Sequence, residues 1–157
     1  MLKWLLGLLM VSATVADAAP IRRLPGVPTV QALYGRWRII GVAVPRDGVQ
    51  ALATNDPNYV GQRLTFTHAR LSWDTPNPSY GGTPCVAPAI RPVRPGRGGD
   101  ERIAKIRGQI VGAFAVGCKG GAWGPAAPPA PEIMALRDGT IALWWFDGAL
   151  LTLRRVG

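Results

Sequence analysis

A chain of 157 residues with 18 Lys and Arg against 9 Asp and Glu, net charge +9, has room for one domain with a buried core. Its 48% hydrophobic content excludes a solvated disordered polyelectrolyte, and a single histidine, His68, with no Cys-x-x-Cys spacing argues against a Cys/His metal site. The basic excess is almost all arginine and favours encounter with anionic surfaces.

The N-terminus reads as an export signal. Lys3 is followed by an apolar run from Trp4 to Val15, shorter than the roughly 20 residues a membrane-spanning helix needs. Ala16-Asp17-Ala18 then supplies a small-x-small cleavage pattern, so residues 1–18 are expected to be removed after about Ala18. The expected location is periplasmic or secreted, with no transmembrane segment in the mature chain. In such a compartment Cys85 and Cys118 are expected to form a disulfide. Residues 19–32 read as an extended Pro/Val-containing leader, and 33–157 as a single domain.

Strand signals begin at Gly35. Alternation over 35–44 puts Trp37, Ile39, Gly41 and Ala43 on one face, with Arg38 and Ile40 on the other. Residues 49–60 form a connection containing Asn55-Asp56-Pro57-Asn58. A hairpin follows: 62–67 with Leu64 and Phe66 inward, a turn at His68-Ala69, and 70–74 with Leu71 and Trp73. Six prolines and several glycines make 75–99 a long loop without regular elements. Residues 100–112 read equally as helix or strand, since Ile103, Ile106 and Ile110 have helical spacing while Gly108 opposes it. Residues 113–118 form a strand, 119–131 a second Pro/Gly-rich loop, and 132–137, 140–146 and 149–155 three more strands. Asp138-Gly139 and Asp147-Gly148 separate these last three as hairpin turns. The fold class is all-β with at most one short helix: an up-and-down antiparallel barrel of about 7–8 strands, two long loops and one disulfide.

Gly35-Arg36-Trp37 at the start of the first strand resembles the Gly-x-Trp opening of the calycins: lipocalins, avidins and bacterial secreted metalloprotease inhibitors. The resemblance implies a tryptophan at the closed end of a barrel, covered by a basic residue of the last strand, here Arg154 or Arg155. The lipocalin Thr-Asp-Tyr signature and an avidin-like set of biotin contacts are absent.

Catalytic motifs are absent, and most aspartates sit in turn signals, so a non-enzymatic binding protein without metal or cofactor is expected. Its partner would be an envelope or extracellular macromolecule, a protein or an anionic component, and the chain could act as an enzyme inhibitor. Nucleic acid is not an expected partner. Loop residues Trp123, Tyr80, Arg91, Arg94 and Arg97 are the candidate contacts, because aromatic and arginine anchors are enriched at binding hot spots. The alternative is a carrier of a small apolar ligand, lined by Trp37, Phe66, Trp73 and Trp145.

Overall fold

The computed structural model describes residues 28–46, 52–75, 83–95, 101–121, 123–124 and 132–157, except the side chains of Glu101 and Asp147. The segment expected to be a signal, most of the expected leader, Tyr80 and Arg97 lie outside the described residues. The expectation of an all-β antiparallel fold holds, with nine strands rather than 7–8: β1 (Gly35–Ala43), β2 (Arg63–Phe66), β3 (Arg70–Trp73), β4 (Cys85–Val86), β5 (Ala89–Val93), β6 (Ile110–Gly117), β7 (Glu132–Leu136), β8 (Ile141–Trp144) and β9 (Leu150–Val156). They form one curled sheet, a half-barrel, in the order β4-β3-β2-β1-β9-β8-β7-β6-β5. All neighbours are antiparallel, and the first and last strands in sequence are paired at its centre.

The two additional strands fall in the stretch expected to be irregular. Pro92 lies within β5, which pairs only with β6, so its missing N–H costs no second ladder. Only Ala87 and Pro88 separate β4 from β5, and Ala87 turns the chain with φ 47°. The edges of the sheet meet there. Val86 opposes Arg70 of β3 on one side and Gly120 on the other, and the Val86–Gly120 bridge continues the β5–β6 register. The Val86 N–H donates to the Gly120 carbonyl (2.9 Å), and the Ala87 N–H to the Ala69 carbonyl (2.9 Å). Beside this seam Cys85 and Cys118 form the expected disulfide, Cα atoms 5.2 Å apart. Gly121 crosses Pro84 so closely that a Cβ would strike the Pro84 carbonyl, and its φ of +79° also demands glycine.

Residues 101–112, the described part of the ambiguous stretch 100–112, contain both a helix and the start of a strand. A short helix α1 (Glu101–Ile106) and a 3-10 turn (Arg107–Gln109) lead directly into β6. The helix lies against the outer wall, where Ile103 is buried with Ala113, Met134, Leu136, Ala142 and Leu150. The expected leader ends in a second 3-10 turn, Val30–Leu33, rather than running extended to residue 32.

Strict alternation fails in β1 at a bulge between Ile39 and Gly41, which turns Val42 inward in place of Gly41 and Ala43. Here the connecting segment is stitched to the strand: the Val42 N–H donates to Asn55 Oδ1 (3.2 Å) and the Asn55 N–H to the Val42 carbonyl (2.9 Å). Asp56, buried beneath, accepts from the Asn58 N–H (2.9 Å) and the Ala53 N–H (3.3 Å), capping a turn that carries Leu52 and Tyr59 into the core.

The disulfide closes a separation of 33 residues, which on chain-entropy grounds restricts the unfolded chain by about 3–4 kcal/mol. The double variant Cys85→Ser/Cys118→Ser is therefore expected to lose about that much stability in urea titration. A loss below about 1 kcal/mol would mean that the seam holds without its covalent link.

Candidate functional site

Three surfaces could carry function: the end where β1 begins, the interior, and the outer wall. At the first, Trp37 is buried and its indole N–H donates to the Leu33 carbonyl (2.8 Å), joining the 3-10 turn to β1. Arg155 stands opposite Trp37 across the β1–β9 ladder, with its guanidinium carbon 4.5 Å from the ring centroid. The same guanidinium donates to the Tyr34 carbonyl (2.7 Å) and to the Ala32 carbonyl. Gly35, at φ +138°, leaves the space that this guanidinium occupies, which a Cβ would enter. Gly35, Trp37 and Arg155 therefore meet at one end. Arg154 does not join them, because strand alternation turns it to the outer face, exposed.

The interior holds a chain of edge-on aromatic rings. Tyr59 meets Trp73 at 5.9 Å between centroids, Trp73 meets Trp145 at 5.6 Å, Trp145 meets Trp123 at 5.3 Å, and Trp123 meets Phe66 at 5.6 Å. Phe66, Trp73 and Trp145, expected as ligand-lining residues, are thus brought together, while Trp37 belongs to the end described above. Trp123 corrects its expected place as a surface contact. It is 1% exposed, because the disulfide and the Gly121 crossing aim the chain inward just before it. The loop position gave no hint of this; the short spacing from Cys118 was the available signal. The Trp145 indole donates to the Tyr59 hydroxyl (3.4 Å), but the buried indole N–H groups of Trp73 and Trp123 have no hydrogen-bond partner among the described residues.

On the outside, Arg91 in β5 and Arg94 just beyond it are exposed. Arg94 lines a groove of about 270 Å³ together with Pro92, Val93, Pro95, Ile110 and Phe114, among others, and Arg91 is not part of that lining. Trp144 is partly covered by Arg102, whose guanidinium lies 5.4 Å from its ring and also donates to the Ala43 carbonyl (2.9 Å). The outer face of β1, β2 and β9 carries four further arginines: Arg36, Arg38, Arg63 and Arg154. Arg36 pairs with Asp74 (2.7 Å), which also accepts from the Thr65 hydroxyl (2.6 Å). The Thr65 hydrogen bond foremost, then Arg36, holds the Asp74 carboxyl below its usual range. Asp138 is held low in the same way, mainly by the hydroxyl and N–H of Thr140, with a lesser pull from Arg154.

Among the described residues no group of three or more His, Cys, Asp or Glu could hold a metal, and no helix is long and apolar enough to cross a membrane. No family model matches the chain, and no curated protein or solved structure matches it significantly.

Arg155 serves a ring and two carbonyls, whereas Arg154 faces solvent. Arg155→Ala is expected to cost about 2–4 kcal/mol in denaturant unfolding, and Arg154→Ala to stay within about 0.5 kcal/mol of the parent. Equal effects would contradict a distinct role for the Arg155–Trp37 stack.

Proposed function

We propose that this chain is an exported, non-catalytic binding protein of calycin type that engages a macromolecule with the outside of its barrel, as an enzyme inhibitor would. The observation that carries this reading is the interior occupied by the chain's own rings, Trp123 above all. A side chain delivered from a loop into the space between Phe66 and Trp145 takes the volume a carried ligand would need. The calycin relationship draws support from the meeting of Gly35, Trp37 and Arg155, and from the pairing of the first and last strands. The described aspartates favour a non-catalytic role. Asp56, Asp74 and Asp138 are each held in turn-forming or cross-strand hydrogen bonds, and His68 is exposed in the β2–β3 turn. Arg91 and Arg94 are the described contacts among those expected from the sequence, and a net charge of +9 favours an acidic partner surface.

One observation favours the carrier reading. The indole N–H groups of Trp73 and Trp123, without a partner among the described residues, would suit a small ligand bearing hydrogen-bond acceptors, or buried water. Native mass spectrometry of protein recovered from the exported fraction separates the two readings. The binding-protein reading expects the mass of the oxidised chain with no adduct. A small-molecule mass that disappears on denaturation would put the carrier reading in its place.

A further inference from the structure

The outer face of β2, β1 and β9 contains an arrangement that sheet stability alone disfavours. Arg38 stands directly opposite Arg63 on one side and directly opposite Arg154 on the other, and all three are exposed. Like charges facing each other on neighbouring strands repel, and here three stand in one row. With strands about 4.8 Å apart, the three Cα positions span about 10 Å. The rows on either side carry less unpaired charge: on one, Arg36 stands between Thr65 and Val156 and is paired with Asp74, and on the other lies Ile40, 39% exposed.

The acids of this face do not neutralise the centre. Asp74 lies beyond Arg63, with its oxygens bonded to Arg36 and Thr65. Asp138 lies beyond Arg154, bonded to Thr140. Among the described residues no carboxylate pairs with Arg38. A carboxylate past each end also limits what can lie along the row. A long polyanion crossing the strands would run against both, whereas a compact anion would sit between them. Guanidinium forks bind carboxylate and phosphate oxygens in pairs, and phosphoryl groups carry the charge density that three cations within about 10 Å call for.

We propose that Arg63, Arg38 and Arg154 form a binding site for clustered phosphoryl groups, two or three carried within about 10 Å of one another on a single molecule. Arg38 is the central contact, held between its two neighbours. The proposal rests on the binding-protein reading and names the chemistry its outer wall would recognise.

The test uses the full chain, purified oxidised, with tripolyphosphate as probe in titration calorimetry at low and moderate salt. Tripolyphosphate is expected to bind more weakly as salt rises, and at least ten-fold more tightly than orthophosphate. Arg38→Gln should weaken it ten-fold or more while the melting temperature stays level or rises, because a repulsion has been relieved. Lys105→Gln, which removes the same charge from α1, should change the affinity less than two-fold. Unchanged binding in Arg38→Gln, equal affinity for orthophosphate, or a lowered melting temperature in that variant would overturn the site. Vesicles containing phosphatidylglycerol separate a single clustered ligand from an array of headgroups, and Arg38-dependent binding to vesicles alone would also overturn it. Loss of this site would leave the binding-protein reading intact, since that reading fails on a small molecule held among the interior rings, whose binding Arg38→Gln would not change.

Discussion

Any open antiparallel sheet has two edges with unpaired backbone, and here both edges belong to one short run of chain. Residues 85–93 serve as the edge strand beside β3 and, after a two-residue turn at Ala87 and Pro88, as the edge strand beside β6. Val86 is paired on both sides, with Arg70 of β3 and with Gly120 beyond the end of β6, so the exposed edge is shortened where pairing with a foreign strand would otherwise be easiest. The disulfide lies at this point. Without it, closure of the curl would rest on a bridge of few hydrogen bonds.

That closure determines what fills the interior. The chain leaving β6 is fixed by Cys118, paired at Gly120 and pressed against Pro84 at Gly121, and two residues later Trp123 is among Phe66 and Trp145. Buried large side chains contribute about 1.5–3 kcal/mol each, so the rings drawn together here are a substantial part of the core. At the end where β1 begins, Arg155 acts from the last strand on the first, holding the 3-10 turn over Trp37. The molecule is thus joined across sequence-distant segments at two places, covalently at one and through a cation over a ring at the other.

Much of this was legible in the sequence where periodicity and turn chemistry agree. The β2–β3 hairpin, the Asp138-Gly139 turn and the disulfide follow from local pattern and cysteine number. Other features depend on neighbours that a linear reading does not supply. Ala89–Val93 looks like loop because it contains Pro92, and only its edge position makes the proline harmless. The bulge in β1 exists because Asn55 pairs with Val42 from thirteen residues away. Choosing Arg155 over Arg154 needed the β1–β9 register, and the arginine row needed two registers at once. Trp123 was legible as an aromatic in a loop, but its direction is set by the seam before it.

The structure divides its tasks between inside and outside. Aromatic rings occupy the curl of the sheet, while arginines occupy the wall. Both depend on the sheet closing at Val86, and amide hydrogen exchange followed by NMR tests that closure most directly. If the edges are joined, the Val86 and Ala87 amides should exchange as slowly as those in the β1–β9 ladder, and both should become fast when the disulfide is reduced. Rapid exchange at Val86 in the oxidised protein, with β1–β9 still protected, would contradict the account and describe a sheet whose edges are not joined at Val86.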